Sequence, residues 1–255
     1  MDSFVISGIT FACVLAGAAL GLLVRSRLPE HHLSNESRDI VKLTMGLIAT
    51  MTALVLSLLI ASAKSSFDTQ RTGVSQLAAN IIVLDRSLAL YGKETQTTRE
   101  LLRTAVADVL RENWPDESTK AEHSEAKTKA VKHYQELYER IVALEPKTDA
   151  QRTLQGQALK SYGDTGQLRW QLFTQREGSS IPTAFLVVMV VWMVLLLGSF
   201  ALFAPRNATT LLSLIVCALA ISSAVFLILE LDRPFGGMIQ IPSSPLRAAL
   251  QQLGR

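Results

Sequence analysis

The sequence contains few of the residues from which disulfide frameworks, metal sites and catalytic centres are built. It has only 2 cysteines and 4 histidines in 255 residues. Cys13 and Cys217 both fall in long apolar runs, which indicates small packed side chains and not a disulfide. His123 and His133 have no evident partner, and no phosphate-binding loop, dinucleotide fingerprint, HExxH or GxSxG motif occurs. We therefore expect no enzyme, no cofactor and no metal site.

Charge is scarce outside the middle of the chain, where the two signs are balanced. Residues 64–177 hold 17 Lys and Arg against 16 Asp and Glu, and the formal net charge of the whole chain is +3. This balance leaves no excess of positive charge of the kind that binds the phosphate backbone of a nucleic acid. A nucleic-acid partner is therefore not expected, and the middle segment is predicted to be an ordinary solvated domain.

Four uncharged runs stand out instead, at residues 3–24, 43–63, 178–205 and 207–229. A hydrocarbon core about 30 Å thick needs about 20 apolar residues in a helix, so each run is long enough to span. In the first run, Gly17 and Gly21 form a GxxxG that permits close helix contact, although the pattern is common in Ala/Gly-rich spans.

The predicted fold is an all-α membrane protein with four transmembrane helices and a soluble helical-hairpin domain between the second and third spans. The predicted segments are 1–63 for the first helix pair, 64–180 for the soluble domain and 181–230 for the second transmembrane hairpin. Residues 231–255 are predicted to form a C-terminal turn and a short amphipathic helix. No segment of strand length alternates with period two, so no sheet is expected.

The second span is predicted to continue without a break from Leu43 to Tyr91, where Gly92 supplies a C-terminal stop. Beyond the membrane, apolar residues recur at spacings of seven, three and four, which is typical of a seam between packed helices. We predict that this seam joins copies of the chain in an oligomer. The seam consists of Phe67, Val74, Leu77, Ile81, Leu84, Leu88 and Tyr91.

A polar line runs beside the seam at seven-residue steps, through Thr50, Ser57, Lys64 and Arg71. At about 100° per residue it lies roughly a quarter-turn from the apolar seam, so one face could pack while the other faces water. The four residues are hypothesised to line a pore. In the alternative interpretation, the hydroxyls bond their own backbone and the cations only mark the membrane interface.

Helix ends elsewhere are predicted from capping residues. Thr97 with Glu100 predicts a capping box, and Thr148 or Asp149 predicts the start of a later helix. Ser244 is expected to cap a short terminal helix with Pro245 in its first turn, which places Leu246, Leu250 and Leu253 on one face.

The last span leaves the membrane through an acid/base cluster followed by a turn: Glu230, Asp232, Arg233, Pro234, Phe235, Gly236 and Gly237. We expect this motif to be structural first, with Arg233 paired to Glu230 or Asp232. Gly236 and Gly237 are expected to permit a turn that a side chain would block, so that Gly236→Val should reduce the folded yield.

The run LILELDRPFGGMIQIPSSPLRAALQQLG, which includes this exit, resembles the signature of the bestrophin-like domain family of bacterial membrane proteins. The stretches LIASAKSSFDTQR, QLAANIIVLDRSLALYG and LFAPRNAT are similar to the same family. The resemblance implies a multi-pass protein of the bacterial inner membrane, remotely related to bestrophins, which are oligomeric anion channels. Residues 238–244 lack the acidic run with which bestrophins bind calcium, so calcium gating is not expected.

Two functions remain open at this point. The first is an oligomeric, bestrophin-like ion channel that prefers anions, with the lipid bilayer, further copies of the chain and inorganic anions as partners. The alternative is a non-conducting membrane anchor or scaffold whose helical domain binds a partner.

The orientation in the membrane is also open. Four spans place both termini on the same side, and four cations in the first loop against none before the first span favour a periplasmic N-terminus. The resemblance to bestrophins favours the cytoplasm.

Overall fold

The computed structural model describes residues 3–27, 29, 35–114, 120–177, 183–205 and 207–254. These residues contain eight α-helices and no strand. The helices are α1 (Ser3–Arg27), α2 (Asn35–Tyr91), α3 (Gln96–Asn113), α4 (Lys120–Val142), α5 (Asp149–Glu177), α6 (Thr183–Phe203), α7 (Ala208–Leu231) and α8 (Ser244–Gln252). A short 3-10 turn, Lys93–Thr95, lies between α2 and α3.

Four of these helices are long and apolar enough to cross a membrane: α1, the Arg38–Tyr91 part of α2, the Ala184–Phe203 part of α6, and α7. The apolar windows of α6 and α7 have the highest mean hydropathy, 2.7 each. Because a helix satisfies its own backbone hydrogen bonds, such segments are stable in hydrocarbon. The predicted all-α membrane fold with four spans is confirmed.

The chain divides into two compact units. The first, Met1–Phe67 with Ser179–Ile239, contains α1, the first part of α2, α6 and α7. In it, α1 packs against both α6 and α7. Its buried core is made of Val14, Ala18, Leu197, Ala201, Leu214 and Ala218.

Glycines allow α1 and α6 to approach closely. A Cβ added to Gly17 would lie 2.7 Å from Val194 Cγ1, and one added to Gly21 would collide with the carbonyl of Gly198. Small residues permit this packing where lipid provides no hydrophobic drive between helices. The close contact that the GxxxG permits is therefore confirmed, and its partner is α6 of the same chain.

The second unit, Asp68–Gly178 with Gln240–Arg255, contains the rest of α2 together with α3, α4, α5 and α8. In this unit α3 packs on α4 and α8, and α4 packs on α5. Tyr134 Oη donates to the Tyr162 carbonyl at 2.6 Å, and Tyr162 Oη donates to the Tyr134 carbonyl at 3.0 Å, with the two rings stacked. Trp114 Nε1 donates to the Ile241 carbonyl at 2.7 Å, which ties α3 to the segment before α8.

The predicted continuity of α2 is confirmed, because its 57 residues form one helix, about 85 Å long at 1.5 Å per residue. It ends at Tyr91, and Gly92 has a φ of +140°, a conformation that favours glycine. The Thr95 hydroxyl then bonds the Leu88 and Gly92 carbonyls at the end of the helix, at 2.5 and 2.8 Å.

Two of the capping predictions are wrong and one is confirmed. The capping box at Thr97 and Glu100 does not form, because α3 starts at Gln96 after Thr95, whose hydroxyl is already bonded to α2. The terminal helix begins at Ser244 itself, so Ser243 holds the cap position, while Pro245 lies in the first turn as expected. Thr148 caps α5, since its Oγ1 accepts the Gln151 N–H at 3.1 Å. Residues 178–182, at the start of the third uncharged run, and the side chain of His123 lie outside the described residues.

Candidate functional site

The membrane part of α2 is the least covered of the four candidate spans. Only 11% of its apolar window is buried within the chain, against 33% for α1 and 28% each for α6 and α7. The small residues Ala53, Ser57 and Ala61 on this helix are exposed in the single chain. A face with small residues at every fourth position allows another helix to come close. The surface of α2 is therefore available to lipid, to a lumen or to another subunit.

All four residues of the polar line, Thr50, Ser57, Lys64 and Arg71, are exposed in the single chain. Thr50 Oγ1 donates to the Gly46 carbonyl at 2.9 Å, and Ser57 Oγ donates to the Ala53 carbonyl at 2.8 Å. The hydroxyl protons thus point back into the helix and leave oxygen lone pairs outward. Attraction for an anion along this line would have to come from Lys64 and Arg71. Their role as pore-lining residues stays a prediction.

Lys64 lies at the end of the uncharged run of α2, and its Nζ stands 5.7 Å from the centre of the Phe67 ring. A cation over an aromatic face is attracted by the ring quadrupole. This contact holds the ammonium group close to the helix surface at the level where the apolar run stops.

The apolar seam is buried inside the single chain. Its members retain 1–7% of their surface: Phe67, Val74, Leu77, Ile81, Leu84, Leu88 and Tyr91. Leu172 of α5 packs over Gly73 beside the seam, with its Cδ2 3.2 Å from where a Cβ would stand. The spacing therefore describes packing within one chain, and contact of the same residues with a second copy stays a prediction.

A partly buried ion pair beside the seam was not predicted from the sequence. Arg99 Nε and Nη2 of α3 donate to the two carboxylate oxygens of Asp85 on α2, at 2.8 and 2.9 Å. The side chains are 17% and 9% exposed, and the hydrogen bond to Asp85 raises the pKa of Arg99 above its ordinary value. Such a two-point bond fixes the orientation of the two helices. The sequence signal for this pair was Asp85, a single acidic residue on an otherwise apolar face of the helix.

His133 has a partner that the sequence did not reveal. Its Nδ1 lies 2.8 Å from Asp108 Oδ2, and Arg111 Nη1 donates to Asp108 Oδ1 at 3.0 Å. The Asp108 side chain is buried, so the pairing satisfies a carboxylate that would otherwise be costly. Within the described part of the chain, no group of three His, Cys, Asp or Glu side chains comes together as a metal site would need.

The exit from the last span is built around the buried carboxylate of Glu230, which is 2% exposed. One oxygen of Glu230 accepts the backbone N–H of Met238, so the side chain closes the turn that follows α7. Pro234 and Phe235 are buried in this turn. Pairing of Arg233 with Glu230 or Asp232 stays a prediction.

Of the two glycines at the exit, Gly237 is the one whose place a side chain would block, so the expectation is confirmed for Gly237 and wrong for Gly236. A Cβ on Gly236 would meet nothing within 4 Å, whereas one on Gly237 would collide with the Glu230 carboxylate. Both glycines have ordinary backbone angles, and the constraint is the space that the side chain of Glu230 takes.

The comparisons with known proteins agree with this architecture. The bestrophin-like domain matches residues 12–246. A bacterial bestrophin homologue from Klebsiella pneumoniae is similar in structure, with a TM-score of 0.68, 13% identity, and coverage of 95% of this chain and 98% of that chain. A solved structure described as a membrane protein has a TM-score of 0.70, 13% identity, and coverage of 94% and 95%.

At 13% identity these two likenesses show the fold alone. No curated protein matches the chain. The domain match covers more than nine-tenths of the sequence, and it includes the uncovered second helix, the buried Glu230 and the turn at Gly237. The chain belongs to the bestrophin-like domain family.

Proposed function

We propose that this protein is the subunit of an oligomeric ion channel that prefers anions, with α2 beside the conduction pathway. The observation that carries the proposal is the uncovered membrane part of α2, with Thr50, Ser57 and Lys64 on its exposed surface. A membrane helix whose surface is so little buried within its own chain can gain contacts when several copies of the chain assemble. Membership of the bestrophin-like family supports the same function, since this family resembles the bestrophins, which are oligomeric anion channels.

Symmetry provides the electrostatic argument. In a closed ring every subunit contributes the same cation at the same height, so partly screened charges add to one potential at a narrow opening. Lys64 stands where the uncharged run ends, and Arg71 follows two helical turns later. Rings of Lys or Arg favour anions in pores. The hydroxyls of Thr50 and Ser57, bonded to their own helix, would add polarity but no positive charge.

The second candidate function is a non-conducting anchor that binds a partner through the 68–178 unit. It is favoured by apolar side chains on α4 that stay exposed, namely Val131 at 58%, Tyr138 at 48% and Val142 at 49%. Exposed apolar surface in a polar domain is typical of a binding face.

For the orientation, we propose that both termini are periplasmic, on the basis of the cations Arg25, Arg27, Arg38 and Lys42 around the first loop. The 68–178 unit then lies on the periplasmic side. A cysteine at Gln157, which is exposed on α5, should react with a membrane-impermeant maleimide in whole cells. Protection of that cysteine until the cells are permeabilised would reverse the orientation.

Planar-bilayer recording separates channel from anchor. Purified protein under a potassium chloride gradient should carry current. The reversal potential of that current should have the same sign as the equilibrium potential of chloride. Absence of current at both polarities and in several salts would refute the channel and favour the anchor. A reversal potential with the sign of the potassium equilibrium potential would support a channel but refute the anion preference.

A further inference from the structure

The membrane unit contains a cavity that neither proposed function uses. It has a volume of about 230 Å³ and lies between the start of α2 and the end of α6. Its lining joins two cations to an apolar wall and includes Arg38, Lys42, Val41, Met45, Phe200 and Phe203.

The pattern of charge along α2 assigns the cavity to the level of the lipid headgroups. The uncharged run of α2 begins at Leu43, directly after Lys42, and α6 ends at Phe203. Arg38 and Lys42 are four residues apart and therefore share one face of α2, one turn apart. The two cations thus precede the uncharged run of α2, while Met45 lies within it.

The charge at this site is complementary to an anion. Arg38 and Lys42 are the charged residues that line the cavity, and none of its described lining residues is a carboxylate. Asp39 lies nearby and bonds Lys42 at 3.4 Å, but both side chains are more than half exposed, so this pair is weak. A guanidinium such as that of Arg38 binds phosphate oxygens at two points.

We propose that this cavity binds an anionic phospholipid. The phosphate contacts Arg38 and Lys42, and the first carbons of an acyl chain lie against Met45, Phe200 and Phe203. The volume is below the range of roughly 300–1,000 Å³ typical of pockets that enclose a whole small molecule, so most of the lipid stays in the bilayer. Basic pockets between transmembrane helices are a recurrent way of holding such headgroups. The proposal does not depend on whether the protein conducts.

The test uses the full-length protein in mild detergent and native mass spectrometry to measure lipid affinity. The probes are dioleoylphosphatidylglycerol, dioleoylphosphatidylcholine and inorganic phosphate. We expect the anionic lipid to bind more tightly than the zwitterionic one, and inorganic phosphate at millimolar concentration not to displace it. Equal affinity for the two lipids would overturn the proposal. Displacement by phosphate would also overturn it in favour of a simple anion site.

Three variants separate the cavity from general surface charge. A basic residue near the membrane contributes about 1 kcal/mol, so Arg38→Gln should weaken binding of the anionic lipid by about fivefold. Arg27→Gln, which removes an exposed cation at the end of α1, should leave the affinity unchanged. Met45→Trp keeps every charge but fills the cavity, and it should weaken binding as well.

Equal losses for Arg38→Gln and Arg27→Gln would assign the effect to net charge and refute the site. Unchanged affinity in Met45→Trp would refute the proposed contact between the acyl chain and the apolar lining of the cavity. If Arg38→Gln fails to fold, the Met45→Trp measurement still decides the proposal.

Discussion

A single added methyl group tests how the chain leaves its last membrane span. Gly237→Ala places a Cβ 2.8 Å from the Glu230 Cδ, which is too close, and 3.3 Å from the Arg233 carbonyl oxygen, which is a tight contact. Gly236→Ala adds the same group one residue earlier, where nothing lies within 4 Å. The two variants therefore have the same composition and differ only in what the methyl group meets.

The magnitude follows from the contact that must break. To make room for a methyl group on Gly237, the Glu230 carboxylate has to move and release the Met238 N–H. A hydrogen bond to a charged group contributes about 1.5–3 kcal/mol, and a carboxylate that is 2% exposed has little access to water in exchange. Gly236→Ala should stay within about 0.5 kcal/mol of the parent.

Thermal unfolding in detergent, followed by tryptophan fluorescence, measures the difference. For a chain of this size the expected loss lowers the melting temperature by roughly 3–12 °C in Gly237→Ala. Gly236→Ala should melt within about 2 °C of the parent. Equal melting temperatures for the two variants, or a larger loss at Gly236, would refute the role given to Glu230.

Further predictions concern the packing of each unit. Asp85→Asn leaves the Arg99 guanidinium poorly matched and should cost about 3 kcal/mol in chemical unfolding, whereas Arg111→Ala, at a side chain 71% exposed, should cost less than about 1 kcal/mol. Gly21→Leu should abolish the close contact between α1 and α6 and reduce the folded yield in size-exclusion chromatography. Gly8→Leu should not reduce the yield, because open space surrounds Gly8, and equal yields for the two variants would contradict the contact at Gly21. Burial raises the pKa of Tyr134 above its ordinary 10.0, so its contribution to stability is present below pH 10 and is lost as the pH rises further. Circular dichroism at alkaline pH should show a shallower decline in Tyr134→Phe, and an unchanged decline would contradict this assignment.

The membrane architecture could be predicted because bilayer thickness fixes the length of an apolar helix. The continuity of α2 followed from the absence of Gly or Pro breakers between Leu43 and Tyr91 apart from Gly46 and Gly73, which a helix tolerates. The Thr148 cap was also accessible, because capping depends on neighbours in sequence.

The partners of these elements could not be predicted, because they come from distant parts of the chain. Spacing of three and four identifies an apolar face such as that of Leu77 and Leu84 but does not say what covers it. Asp108 is separated from His133 by 25 residues, and no local pattern links them. The choice between Gly236 and Gly237 depends on where Glu230 points, which only the folded chain determines.

The most direct test of the role proposed for α2 is the reversal potential of Lys64→Glu in planar bilayers under a potassium chloride gradient. The control is Arg27→Glu, which makes the same change in charge at an exposed cation on α1. If the exposed face of α2 lines the pathway, Lys64→Glu should move the reversal potential toward that of potassium, while Arg27→Glu should leave it at the parent value. Robust current with the parent reversal potential in Lys64→Glu, or the same shift in both variants, would contradict the account.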